Sequence, residues 1–111
     1  MTRHSVPDLL PGTLDLLILR TLQTESLHGW AIAERIQQVS QEILQVNQGS
    51  LYPALHRLEH QGWIDAEWAV SELGRRAKYY RLTTTGGRQL AIETSEWERM
   101  STAIGRIMKL A

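Results

Sequence analysis

Residues 48–83 read QGSLYPALHRLEHQGWIDAEWAVSELGRRAKYYRLT, and this stretch decides the fold. Leu51, Leu55 and Leu58 recur at helical spacing, so a helix with one apolar stripe is expected over about 49–61. Ser50 stands where it can cap that helix, and Pro53 fits a first turn without removing a needed donor. Gly62 supplies the stop. The period then changes. Trp63 to Val70 alternates as a strand does, with Ile64, Ala66 and Trp68 on one face. Ser71 to Arg76 is polar and contains Gly74, as a hairpin tip requires, and Lys78-Tyr79-Tyr80-Arg81-Leu82 is a β-prone return strand.

Working outward, residues 1–12 read as a short arm containing Arg3 and His4 and ended by the breaker pair Pro11-Gly12. Thr13 is placed to cap a first helix running to about Glu25, with Leu14, Leu17, Ile18 and Leu22 inward. Ser26 to Gly29 reads as a turn. A second helix is expected from Trp30 to Val39, with Ile32, Ile36 and Val39 inward and Glu34, Arg35, Gln37 and Gln38 outward. Gln41 to Asn47 connects it to the helix at 49–61. After Thr83 one long helix is expected from about Thr84 to Leu110.

The order is three helices, a hairpin and a long helix. It predicts a mainly α fold with a small β-hairpin, a winged helix-turn-helix over residues 1–83. The recognition helix would lie at about 49–61 and the wing hairpin at about 64–82. Residues 84–111 form a C-terminal dimerisation helix in this reading. Leu90, Trp97 and Ile104 recur every seven residues, and Met100 and Ile107 fall three after Trp97 and Ile104. That is the a/d seam of helix-on-helix packing; a second subunit is its natural mate, the first helix of the same chain is the alternative, and the two are compatible.

Bulk properties narrow the class. With 111 residues the chain fits one domain, and 42% hydrophobic with 22% charged residues are ordinary globular values. It has no cysteine, which excludes disulfide scaffolds and thiol nucleophiles. The most apolar run, Leu14 to Leu22, is interrupted by Asp15 and Arg20 and is too short to span a bilayer. No membrane association is expected, and the location is read as cytoplasmic. Twelve Lys+Arg balance twelve Asp+Glu, so net charge does not favour a nucleic-acid partner.

Placement does. Opposite the leucine stripe, the helix at 49–61 presents Tyr52, Pro53, His56, Arg57 and His60, with Gln48 and Ser50 at its start. Planar and hydrogen-bonding groups on a rigid apolar base suit the major groove of duplex DNA. Arg75, Arg76, Lys78 and Arg81 cluster around the glycine-bearing tip, a natural phosphate clamp. The DNA-contacting set is therefore Gln48, Ser50, Tyr52, His56, Arg57, Arg75, Arg76 and Lys78. The sequence admits two other readings. His56-Arg57-Leu58-Glu59-His60 fits the H-x-x-E-H pattern of inverted zinc peptidases, but that site needs a third ligand and a substrate cleft, and this chain is too short for both. A winged helix that no longer binds DNA and serves as a protein-interaction module is the other, supported by the zero net charge. No cofactor or metal is called for.

The motifs carry a resemblance. Gln48-Gly49-Ser50-Leu51-Tyr52-Pro53-Ala54-Leu55-His56-Arg57-Leu58-Glu59, then Gln61-Gly62, Gly74-Arg75-Arg76-Ala77-Lys78-Tyr79-Tyr80-Arg81-Leu82-Thr83 and Gly86, resemble the PadR family of bacterial transcriptional regulators. Leu10-Pro11-Gly12-Thr13-Leu14 and His28-Gly29-Trp30 fit as well, with Trp30 where tyrosine is more usual. The likeness covers nearly the whole chain and is to the short subfamily with a single C-terminal helix. It implies a homodimeric regulator, usually a repressor, with Tyr52 and its neighbours in the major groove and the wing on the backbone. Some members of the family hold a planar aromatic effector at the dimer interface near a tryptophan, a position that Trp97 matches.

Overall fold

The computed structural model describes residues 11–111, so Arg3 and His4 of the arm lie outside the described residues. Seven elements follow in order. They are α1 (Pro11–Thr21), β1 (Leu27–His28), α2 (Gly29–Val39), α3 (Gln48–His60), β2 (Ile64–Val70), β3 (Arg76–Leu82) and α4 (Thr84–Met108). Three helices, a hairpin and a long helix are the expected winged-helix order, with one added strand.

The first helix differs from expectation at both ends. It begins at Pro11, because a proline at the first helical position has the right φ and lacks only a donor that is orphaned there anyway. The Pro11-Gly12 pair opens the helix instead of breaking the chain. It ends at Thr21, not near Glu25, where the Thr21 hydroxyl donates to the Leu17 carbonyl and the last turn tightens. The freed residues reach the sheet. Ser26 to Gly29, expected as a turn, contains β1, which pairs antiparallel with β3 through Leu27 opposite Tyr80 and His28 opposite Tyr79. The sheet order is β1-β3-β2.

A single core joins these layers. Leu14, Ile18, Leu19 and Leu22 of α1 meet Ile32, Ala33 and Ile36 of α2, and Leu51, Ala54, Leu55 and Leu58 of α3. Ile64 and Tyr80 close it from the sheet and Leu90 from α4. Burying each leucine of the α3 stripe stabilises by roughly 1.5–3 kcal/mol. Val39, expected inward, is 75% exposed. As the last residue of α2 it lines an open groove between the ends of α1 and α2, where among the described residues no further layer covers it.

The α3 cap also differs from expectation. Asn47, not Ser50, is the N-cap: its side-chain oxygen accepts from the Ser50 N–H at 2.9 Å. Helix α3 therefore starts earlier, and Pro53 falls beyond the first turn, where it forgoes one backbone bond. The C-terminal stop at Gly62 is as expected. With φ +77° at Gly62, the Trp63 N–H reaches the Leu58 carbonyl at 3.1 Å and the Gly62 N–H the Glu59 carbonyl at 3.0 Å. This is the paired-bond helix ending that a left-handed residue permits.

Candidate nucleic-acid interface

Three elements contribute to one groove of about 500 Å³: the start of α2, Tyr52 on α3, and the hairpin. Tyr52 of α3, Trp30 of α2, and Trp68, Arg75, Arg76 and Lys78 of the hairpin line it. Tyr52 is seated by a glycine. A Cβ added to Gly29 would come within 3.0 Å of the Tyr52 Cε1, so the ring lies against the first turn of α2 while remaining 46% exposed. His28 caps that turn, accepting from the Ala31 N–H at 3.2 Å through Nδ1, and packs edge-on against Tyr79. The turn under Tyr52 is thus tied to the sheet.

Lys78 belongs to this groove and to a shallower one beside it, lined by His56, Glu59, His60 and Lys78. Its ammonium lies 3.2 Å from the Glu59 carboxylate and 5.5 Å from the centre of the Tyr80 ring. The Glu59–Lys78 pair joins the wing to α3, and it engages the carboxylate that the H-x-x-E-H reading would need as a base. Burial raises the Tyr80 phenol above its ordinary pKa, although the Lys78 charge opposes the shift.

The expected site residues divide into those brought together and those set apart. Tyr52, Arg75, Arg76 and Lys78 share the groove, and His56 lies one turn along α3 on the same exposed side. Gln48 is exposed at the first turn of α3, and Ser50 is half-buried beside it. Arg57 turns the other way, toward α1, and pairs with Asp15 at 2.9 Å. Arg81 of the basic cluster also departs. It lies at the far end of β3 from the tip and pairs with Asp65 across the hairpin at 2.6 Å. Asp15 is mostly covered, and burial raises its carboxyl pKa despite the neighbouring Arg57 charge.

Two groove residues were not anticipated. Trp30 and Trp68 are both more than half exposed and face the same space as Tyr52. Strand alternation put Trp68 correctly on the face of Ile64 and Ala66. It did not reveal that the hairpin extends past the helical layer, so that burial falls from Ile64 to Trp68. The departure at Trp30 from the usual tyrosine was the available signal for α2.

The last helix is held at its start and free at its end. The Thr83 side chain caps α4 by accepting from the Gly86 N–H at 2.9 Å, and donates to the Gly62 carbonyl at 2.7 Å. Leu90 is 3% exposed in the core of its own chain, so it has no surface left to give a partner. Trp97, Met100, Ile104 and Ile107 are exposed. Among the described residues no helix is long and apolar enough to cross a membrane.

Known proteins share this architecture. The transcriptional regulator PadR-like family matches residues 18–92. A transcriptional regulator of Mycobacterium tuberculosis is 34% identical over 86 residues, covering 78% of this chain and 77% of the relative. Among solved structures, a transcriptional regulator from Clostridium thermocellum aligns with a TM-score of 0.81 at 30% identity, over 88% of this chain and 95% of that one. A PadR family transcription regulator from Clostridium difficile aligns with a TM-score of 0.74 at 30% identity, over 86% and 97%. The chain belongs to the PadR-like transcriptional regulator family and is a winged-helix, DNA-binding regulator of transcription, not an enzyme.

Proposed function

We propose that the protein is a homodimeric repressor that reads a palindromic operator. Helix α3 enters the major groove, where Gln48, Ser50, Tyr52 and His56 meet base edges and nearby phosphates. Arg57 joins them by exchanging Asp15 for an acceptor on the DNA. Arg75, Arg76 and Lys78 hold the backbone from the wing. The observation that carries this reading is the shared groove, in which Tyr52 of α3 and three wing cations face one space. Trp97, Met100, Ile104 and Ile107 form the face that pairs two copies, and Trp97 is the residue on which a planar aromatic effector stacks to release the operator.

Fluorescence anisotropy with the DNA upstream of the protein's own gene, against a scrambled duplex across a salt series, tests the reading. Tight binding that prefers the upstream DNA and weakens steeply with salt is expected, since each neutralised phosphate contributes a log–log slope of about −0.9. Absence of binding to either duplex at low salt overturns it in favour of a protein-interaction module.

A further inference from the structure

We propose that Trp68 is a positioning residue of the wing, whose ring holds the Arg76 guanidinium ready for a DNA phosphate without consuming the donors that make the contact. The inference rests on the reading of the wing as a backbone clamp. In the hairpin Trp68 pairs with Lys78 and Val70 with Arg76. Side chains alternate along a strand, so Trp68 and Arg76 share one face, on the diagonal that long side chains can span. The Arg76 guanidinium carbon lies 5.0 Å from the centre of the Trp68 ring.

Two observations distinguish this contact from surface decoration. The Trp68 ring is 58% exposed, beyond the end of the core, so folding gains little from it. Arg35, Arg57 and Arg81 each spend guanidinium donors on a carboxylate. Arg76, like its neighbour Arg75 at the tip, pairs with none among the described residues, and of these two it is Arg76 that lies over an aromatic ring. A guanidinium over an aromatic face is attracted by the ring quadrupole, and the ring holds it without committing its N–H groups to a carboxylate. Such a side chain binds phosphate with less loss of rotamer freedom than one that must be ordered first. Its place in the groove with Tyr52 puts those donors beside the face of α3.

The test compares the parent with Trp68→Leu, Trp68→Tyr, Arg76→Ala and the Trp68→Leu, Arg76→Ala double variant in titrations of one duplex across salt. Trp68→Leu should weaken binding about two- to fivefold per subunit, the range of an exposed cation–π contact, and Trp68→Tyr should retain most of the affinity. Arg76→Ala should flatten the salt slope by about one phosphate per subunit, and the double variant should bind no more weakly than Arg76→Ala alone. In the DNA-free protein, the Arg76 Nε–H resonance should be displaced by the ring current in the parent and lose that displacement in Trp68→Leu. A Trp68→Leu variant that binds like the parent, or whose Arg76 resonance is unmoved, overturns the inference and leaves the clamp standing. A further loss in the double variant overturns it too, by giving Trp68 its own contact with DNA. A parent with no affinity for the duplex overturns the clamp and this inference together.

Discussion

Tyr52 owes its orientation to a missing side chain. Gly29 leaves room for the ring, and the contact is with the far end of a side chain, so alanine there moves the tyrosine more readily than the backbone. Gly29→Ala is expected to keep the melting temperature within a few degrees of the parent. Operator affinity should fall by about three- to tenfold per subunit, the loss of part or all of one modest base contact, while binding to scrambled DNA hardly changes. Anisotropy titrations of both duplexes check this, and equal losses on both would separate Tyr52 from base reading. Asp15 has a different signature. Its folded pKa is raised by burial, so the folded state favours the protonated carboxyl, and the Arg57 pair does not fully offset that cost. A raised carboxyl pKa contributes stability below the unfolded value of 3.8 that is lost as pH rises through the folded value. Asp15→Asn should therefore gain in melting temperature relative to the parent as pH rises through that window, as calorimetry of the two proteins at several pH values would register. A parent that gained over the variant on the same rise would reverse the sign and place the Arg57 charge above desolvation.

At the scale of elements, the joint between α3 and α4 leaves no room for an added atom at Gly86. The left-handed Gly62 ends α3, Thr83 reaches back to its carbonyl, and Gly86 lies so close to Trp63 that an added Cβ would come within 1.8 Å of a backbone oxygen. The Leu82 side chain nearby could yield, but the Trp63 backbone cannot. Gly86→Ala should destabilise by about 3 kcal/mol or more, as overpacking against backbone does, whereas Thr83→Ala, which loses a cap, should cost about 1 kcal/mol. Urea unfolding of the two variants orders them, and a Gly86→Ala protein as stable as Thr83→Ala would mean that α4 can shift. The extent to which these elements were legible depends on how many residues carry each signal. Helix α3 and the hairpin declare themselves through three leucines, a glycine stop and a change of period. β1 has two residues and is created by its partner Tyr79-Tyr80, so no local pattern announces it. Asn47 and Ser50 are both capping types, and only the bond from the Ser50 N–H decides between them. The interface was legible in its cations but not in their partners. Asp15 and Asp65 are distant in sequence from the arginines they hold, and pairing across the fold has no period to read.

For the whole molecule the heptad pattern of α4 predicts an interface, and the fold divides that pattern at one residue. Leu90 is buried by its own chain, while Trp97, Met100, Ile104 and Ile107 continue the same face into solvent. An exposed apolar row this long is unusual on a monomer and is the expected mark of a partner surface. The division allows folding and assembly to be tested separately. Ile104→Glu places a charge on the row at a position 54% exposed in the single chain, so the winged-helix core should form as before. Desolvating that charge twice across a symmetric contact should shift the protein to monomer at micromolar concentration, read by sedimentation equilibrium. Leu90→Ala should instead destabilise the fold by about 2–5 kcal/mol through the cavity it leaves. DNA binding supplies the second readout. A monomer presents one α3 and one wing, so the log–log salt slope of Ile104→Glu on a palindromic duplex should be about half that of the parent. An Ile104→Glu protein that sediments as the parent does would remove the α4 row from the interface. A monomeric variant that kept the parent's salt slope would show that a single wing and helix already make every phosphate contact.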